Sequence, residues 1–181
     1  MSYVQNSYSQ TPAYGVAGML SHHSSAGSAI ETGVAIEVVY PGRVVEISTT
    51  TGKCRNPQGT ALPASGYKVF GIVLRDESRE NNADGTVKGY AIGEPFSVLR
   101  RGVVWAELSG GTPVLETAIN VKHASDDTAS NAQHRGKLSQ SATSATAGAE
   151  ISATAIIAKQ HSPGVAPSPA STIVLVEINL P

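Results

Sequence analysis

The sequence predicts an all-β protein, an antiparallel β-sandwich or jelly-roll-like fold or a small barrel, preceded by an extended N-terminal arm. Three observations carry this. Roughly ten short β-branched runs recur at near-regular spacing, punctuated by Gly and Pro, which is the pattern of sandwiches and barrels. No strand–helix alternation supports a parallel α/β sheet. The final run, Ile173–Leu180 (IVLVEINL), is apolar on both parities, as a strand buried on both faces must be. Such a strand is central in a sandwich or pairs with a neighbouring subunit.

The arm is read as residues 1–30 and the single β domain as residues 31–181. Met1 to Ile30 contain no Lys, Arg, Asp or Glu and show neither a helical nor a strand period. Such a segment has too little apolar area to offset its ordering entropy alone. It reads as an arm that orders against a partner, with Tyr3, Tyr8 and Tyr14 as anchors, because Tyr brings large area with few rotors. The alternative is a frayed terminus with no role.

The domain begins with Val34–Tyr40 and Arg43–Thr49 flanking Pro41-Gly42, a turn dipeptide that makes a hairpin or a corner. Tyr67–Arg75 follows a loop containing Pro and Gly, and Asp76–Gly85 is a polar excursion into solvent. Lys88–Ile92 reads as a strand, and Pro95–Arg101 and Gly102–Leu108 as two nearly continuous ones. Ile119–His123 is another short strand, and Ser125–Gln133 holds at most one helical turn. Leu138–Gly148 is a loop or weak edge strand. Glu150–Lys159 and Ser171–Leu180 are the longest β signals, separated by Gln160–Pro169, whose prolines forbid a ladder.

Composition narrows the function. The 181 residues carry 13 Lys+Arg and 14 Asp+Glu, 15% charged with a formal net charge of −1, where a soluble domain averages about 25%. A near-neutral chain without a basic block lacks the footprint of a nucleic-acid binder. No run of about 18 apolar residues is present to span a membrane, and no charged n-region with an apolar h-region opens the chain. The single cysteine, Cys54, excludes an internal disulfide and a four-cysteine zinc site.

His22 and His23 are adjacent, so on a strand they point to opposite faces, and His123, His134 and His161 show no metal-ligand spacing. Asp126-Asp127 does not continue into a calcium loop. There is no Gly-x-Ser-x-Gly elbow, no phosphate loop and no Gly-x-Gly-x-x-Gly. Cys54, between Lys53 and Arg55, reads as a half-exposed loop cysteine, since a nucleophile needs a close base. Charged residues are scattered singly along the chain. Arg100-Arg101 is either a partner salt-bridge pair or a solvated strand end, and Trp105 is read as core in preference to a binding hot spot. The chain thus reads as a structural or binding protein and not an enzyme, with no cofactor and no metal.

The segment Gln10-Thr11-Pro12-Ala13-Tyr14-Gly15-Val16-Ala17-Gly18-Met19-Leu20 resembles the start of the capsid cement (head decoration) proteins of tailed bacteriophages. Further similar stretches are Glu31–Ile36, Pro41–Val45, Val69–Arg75 and Gly89–Gly102, in order. The resemblance covers most of residues 10–122. It implies a non-catalytic virion protein that binds the major capsid protein on the outside of the head and clamps neighbouring capsomers, stabilising the DNA-filled shell. It also implies a homo-oligomer, a trimer in preference to a dimer, made in the host cytoplasm and contacting neither nucleic acid nor membrane. Tyr3, Tyr8, Tyr14, Arg100 and Arg101 are the expected partner contacts. A tail or baseplate β module shares the composition and remains the alternative. A small β-sandwich carbohydrate-binding protein is the other, though nine aromatics with one Trp give it few stacking platforms.

Overall fold

The computed structural model describes residues 16–21, 28–58, 63–79, 88–109, 115–122, 135–139, 150–161 and 172–181. Every regular element among them is a strand: β1 (Ala29–Val34), β2 (Val44–Ser48), β3 (Cys54–Arg55), β4 (Tyr67–Val73), β5 (Pro95–Leu108), β6 (Ala118–Lys122), β7 (Leu138–Ser139), β8 (Glu150–His161) and β9 (Thr172–Asn179). The all-β expectation holds, as a small barrel with extra strands. Strands β5, β7, β6, β8 and β9 form a small barrel that closes because β9 returns to pair with β5, from Arg101↔Asn179 to Leu108↔Thr172. Strands β3, β2 and β4 extend the sheet from the first half of β5, whose opposite edge takes β1.

Alternation along the strands builds the barrel core. Val104, Ala106 and Leu108 of β5 and Val174, Val176 and Ile178 of β9 point inward at period two and are fully buried. They pack with Ile119, Val121, Leu138, Ile156 and Ala158, with Val44 and Ile72 from the extension, and with Leu99 from the first half of β5. A second core holds Ala35, Val39, Val45, Cys54, Phe70, Val73, Tyr90, Phe96 and Val98. Fully burying each Val, Leu or Ile contributes about 1.5–3 kcal/mol.

The two predicted strands Pro95–Arg101 and Gly102–Leu108 are one strand of 14 residues. Its even positions Phe96 and Val98 face the second core, whereas its even positions Val104 to Leu108 face the barrel. The face switches at Arg100–Gly102: the register with β1 jumps from Leu99 to Arg101, and Gly102 takes φ +133°. One unpaired residue in a ladder bends a strand and re-aims its side chains, so this bulge lets a single strand serve both cores.

Other expectations change for physical reasons. Pro41-Gly42 makes a corner and not a hairpin: Val39 bridges Tyr90, while β2 pairs with β3 and β4. Lys88–Ile92 contributes only that bridge, because Gly89 is pressed against Val38 and Val39 and the chain turns at Ala91–Glu94. Trp105 lies on the outward parity of β5 and is half-buried, beside its register partner Leu175 of β9. Strand β9 is paired on both edges, but only its Val174–Val176–Ile178 parity is fully buried in the barrel; on the other parity Leu175 alone is buried, beside Trp105. Ser125–Gln133 lies outside the described residues, as does most of Leu138–Gly148.

Residues 16–21, read from sequence as part of the arm, run along the same edge of β5 as β1. Gly18 donates to Trp105 O (2.7 Å) and accepts from Arg75 N–H (2.9 Å), and Leu20 bridges Val104. Gly18 has φ +83°, and a Cβ there would lie 2.7 Å from both Arg75 N and Pro41 Cβ. The sequence therefore needs Gly at this position twice over, for conformation and for space.

Two ionic groups are buried in this frame. Glu107 of β5 meets Arg43 (2.7 Å) and Lys137 (2.5 Å), tying the entry to β2 and the entry to β7 onto the shared strand. Glu46 of β2 is fully buried. Its Oε1 accepts the Ala64 N–H (2.8 Å), while its Oε2 sits 3.5 Å from Arg55 Nε without a hydrogen bond. Burial pushes the Glu46 carboxyl above its ordinary value, against the opposing pull of the Ala64 amide and Arg55.

Gly18→Ala is expected to destabilise the fold by about 2–4 kcal/mol, through positive φ and overpacking together, read as a lower urea midpoint with an unchanged m-value. Glu46→Gln tests the buried carboxyl. A raised native value means the folded protein binds this proton more tightly than the unfolded chain, so Glu46 lowers stability as pH rises from the ordinary carboxylate range through its raised value. Thermal midpoints measured across that window should flatten in Glu46→Gln, with the gain in the variant largest at neutral pH.

Candidate contact surface

Among the described residues no group of three or more His, Cys, Asp and Glu side chains converges. Cys54 is not the half-exposed loop cysteine that the sequence suggested. It lies on β3, fully buried in the second core, and burial pushes its thiol up to about 11, so it is held as a protonated core side chain. His22, His23, His123, His134, Asp126 and Asp127 lie outside the described residues.

Charges that are scattered in the sequence are paired by the fold. Besides the two buried groups, Lys159 binds Glu116 (2.8 Å) and Glu177 (3.0 Å), which raises its pKa above the ordinary lysine value. The most developed network surrounds Tyr90. Arg79 binds both oxygens of Glu94, donates to Gly89 O (3.0 Å) and lies 4.5 Å over the Tyr90 ring. The Tyr90 hydroxyl donates to Leu74 O (2.8 Å) and accepts from Asp76 N–H (3.1 Å), and burial raises its pKa. Glu94 also accepts the Ala91 N–H (2.7 Å). The Arg79 hydrogen bonds, followed by this one, hold its carboxyl below the ordinary range.

That network clamps the turn Ala91–Glu94, and at its tip Ile92 is 72% exposed, the most open large apolar side chain among the described residues. Segments 35–39 and 90–94 are hydrogen-bonded to each other: Ala35 donates to Glu94 O, Gly93 to Ala35 O, and Val39 and Tyr90 exchange bonds. On the same pair of segments Ile36 (38%) and Val38 (44%) are also exposed. Three aliphatic side chains on a rigidly held rim are presented to solvent without a charged neighbour in sequence except Glu37, whose carboxylate is turned onto Asn56 N–H (2.6 Å) and Gln58 (3.1 Å). A contiguous exposed apolar patch marks a contact site for another macromolecule, and these three side chains, carried on hydrogen-bonded segments, are the candidates for one among the described residues. Sequence reading missed them because Ile36 and Val38 look like strand core; only Ile92, placed before Gly93 in a turn, carried a visible signal.

The expected contact residues fall in two places. Tyr3, Tyr8 and Tyr14 lie outside the described residues. Arg100, at the β5 bulge, is tied within the molecule: it binds Glu31 (3.1 Å), donates to Pro181 O and lies 5.8 Å from the Phe70 ring centroid. Arg101 is exposed, its Nε on Asn179 Oδ1 (3.1 Å). The structure brings the two arginines to the point where β1, β5 and the C-terminus meet, and it does not join them to the Ile92 rim.

Comparison with known proteins agrees with this architecture. No curated protein matches the chain. A chain of the solved structure "The capsid of Myoviridae Phage XM1" is similar in fold, with a TM-score of 0.66 at 14% identity, covering 99% of this chain and 98% of that one. The family model described as "Structural cement protein (E217 gp24/Pam3 gp6)" matches residues 4–179. A protein with a closed barrel, no convergent catalytic group among its described residues and a rigid apolar rim, matched over nearly its whole length, belongs to the phage structural cement protein family and is a structural component of the phage capsid.

Proposed function

We propose that this protein binds the outer surface of an icosahedral phage head and clamps neighbouring capsomers of the major capsid protein, stabilising the DNA-filled shell. The observation that carries this reading is the family match over residues 4–179. The geometry supports it: a barrel braced by buried ion pairs presents Ile36, Val38 and Ile92 without needing to reorganise, which lowers the ordering cost of each contact. The working form is a homo-oligomer, a trimer in preference to a dimer, because one body touching several capsid subunits gains avidity through effective concentration. Within the arm of residues 1–30 that precedes the 31–181 domain, residues 1–15 make the contact, with Tyr3, Tyr8 and Tyr14 as anchors. Arg101, with Arg100 behind it, forms a polar contact at the β5 bulge. The role is mechanical and not enzymatic, and Ile92 serves as the apolar knob of the capsid-facing surface.

Sedimentation with undecorated shells tests this. The purified protein should pellet saturably with expanded heads, at many copies per particle. Binding to neither expanded heads nor unexpanded shells would sink the reading and favour a tail or baseplate module. Ile92→Asp should leave the thermal midpoint nearly unchanged, since exposed substitutions typically move stability by under about 0.5 kcal/mol. The same change should weaken shell binding roughly tenfold per contact, the effect of losing a hot-spot side chain. Wild-type affinity in Ile92→Asp would remove the rim from the contact.

A further inference from the structure

Among the described residues, strand β1 is paired on one side only. Ala35, just past its end, donates to Glu94 O (3.1 Å) on one side, and Ile36 donates to Cys54 O (2.9 Å) on the other. Backbone groups alternate sides along a strand. Ile30 and Thr32 share the parity of Ile36, so their N–H and C=O groups point away from β5. At Ile36 that outer side is taken by β3, but over Ala29–Thr32 no described residue takes it, and all four residues are exposed. Free edges are ordinarily protected by Lys, Pro or an inward charge. This one has neither Lys nor Pro, and its single charge, Glu31, is held by Arg100 at 3.1 Å. Ile30 stands 48% exposed beside it. The register irregularity at Ala29/Ile30 lies at the start of the strand and leaves Ile30–Thr32 in step with β5.

We propose that this edge receives residues 1–15 of a second copy of the chain as an added strand, so that copies are joined arm to edge. The inference rests on the reading of the protein as an oligomer with a contact-making arm, and names what the arm touches. Three features select this occupant. Residues 1–15 carry no charged side chain, so nothing in them opposes Glu31, and Met1–Thr11 contain no proline to interrupt a ladder. Pairing β1 with β1 of a second copy by their outward groups at Ile30 and Thr32 would instead set Glu31 opposite Glu31, which is unfavourable. The third feature is direction. Gly18 lies beside Trp105, Ser21 beside Val103, Ala29 beside Arg101 and Val34 beside Pro95. The described chain therefore starts about 20 Å along β5 from Ile30, heading toward it. Fifteen residues reach at most about 50 Å when extended, enough to cross to another copy, whereas the chain's own β1 requires them to double back. Arm-to-edge contact closes either by reciprocal exchange between two copies or head to tail around a ring, so it serves a dimer or a trimer.

Thr32→Pro is the decisive variant. The Thr32 N–H points outward, so proline removes a donor from the free edge and none from the β5 ladder. Sedimentation velocity on the full chain should show an oligomer, and Thr32→Pro should be monomeric with a near-wild-type melting transition. A second variant lacking residues 2–15 should be monomeric as well, and it decides alone if Thr32→Pro fails to fold. An oligomer of unchanged size in either folded variant overturns the proposal, and so does a monomeric full chain. Pelleting the same samples with expanded heads separates the two readings. An oligomer that binds no shell sinks the capsid role and leaves the arm-to-edge contact standing. A full-length monomer that binds shells does the reverse.

Discussion

Strand β5 must satisfy two cores and nearly all of its backbone groups at once, and the rest of the molecule is arranged around that requirement. Its first half lies between two buried layers, with Val98 toward one and Leu99 toward the other. Its second half closes the barrel against β9. The opposite edge is taken in turn by β1, by residues 18–21, by Gly42, which accepts from Glu107 N–H, and by β7. A straight 14-residue strand would carry one parity throughout and leave one core without its side chains. The bulge at Arg100–Gly102 resolves this, and Arg100, which it leaves unpaired with β1, is then available to bind Glu31 and the chain end.

The same constraint explains where the few charges go. Glu107 sits on the outward parity of β5, where the corner at Pro41-Gly42 and the entry to β7 crowd against it, and Arg43 and Lys137 neutralise it there. Breaking such a buried group strands a charge and typically costs about 3–5 kcal/mol, although the intact group adds less to stability than an apolar one of the same shape would. Its value is positional: it fixes which segments meet at the barrel mouth. With Arg55 turned to Glu46, Arg79 to Glu94 and Lys159 to Glu116 and Glu177, much of a sparse charge complement is spent inside the molecule or on its own surface. What faces outward at the Ile92 rim is aliphatic.

How much of this was legible in the sequence depended on whether the signal was local. Strands β2, β4, β5, β6 and β9 announced themselves through β-branched runs, and the all-β class followed from them. Cys54 was misread because Lys53 and Arg55 flank it; their side chains leave the strand on the other face, and the cysteine itself turns into the second core. Trp105 was misread because strand parity cannot be assigned until the bulge is known: counting by two from Val98 gives the wrong face for every residue after Gly102. The rim escaped for a related reason. Ile36 and Val38 satisfy a strand pattern, but that segment pairs with a turn, which leaves one face uncovered. Barrel closure had no local signature at all, since it depends on β9 finding β5 across some seventy residues of chain.

Rigidity is what links the fold to the proposed role. A clamp across a seam contributes only as much free energy as survives the ordering of its contacting groups, and each immobilised rotamer-rich side chain costs about 0.5–1.5 kcal/mol on binding. Ile92 has little such cost to meet, because Gly93 and the Arg79–Glu94–Tyr90 network already fix its backbone. A docking peptide segment has the opposite economy: it loses conformational freedom when it binds, so an edge strand that supplies ready backbone partners is the kind of site that can offset the loss. A body that offers both a stiff apolar rim and an open β edge can therefore divide the work. The rim suits contact with a fixed lattice, and the edge suits joining one copy to the next. Multiplying weak rim contacts by that joining is what would make a shell held by many such bodies difficult to open.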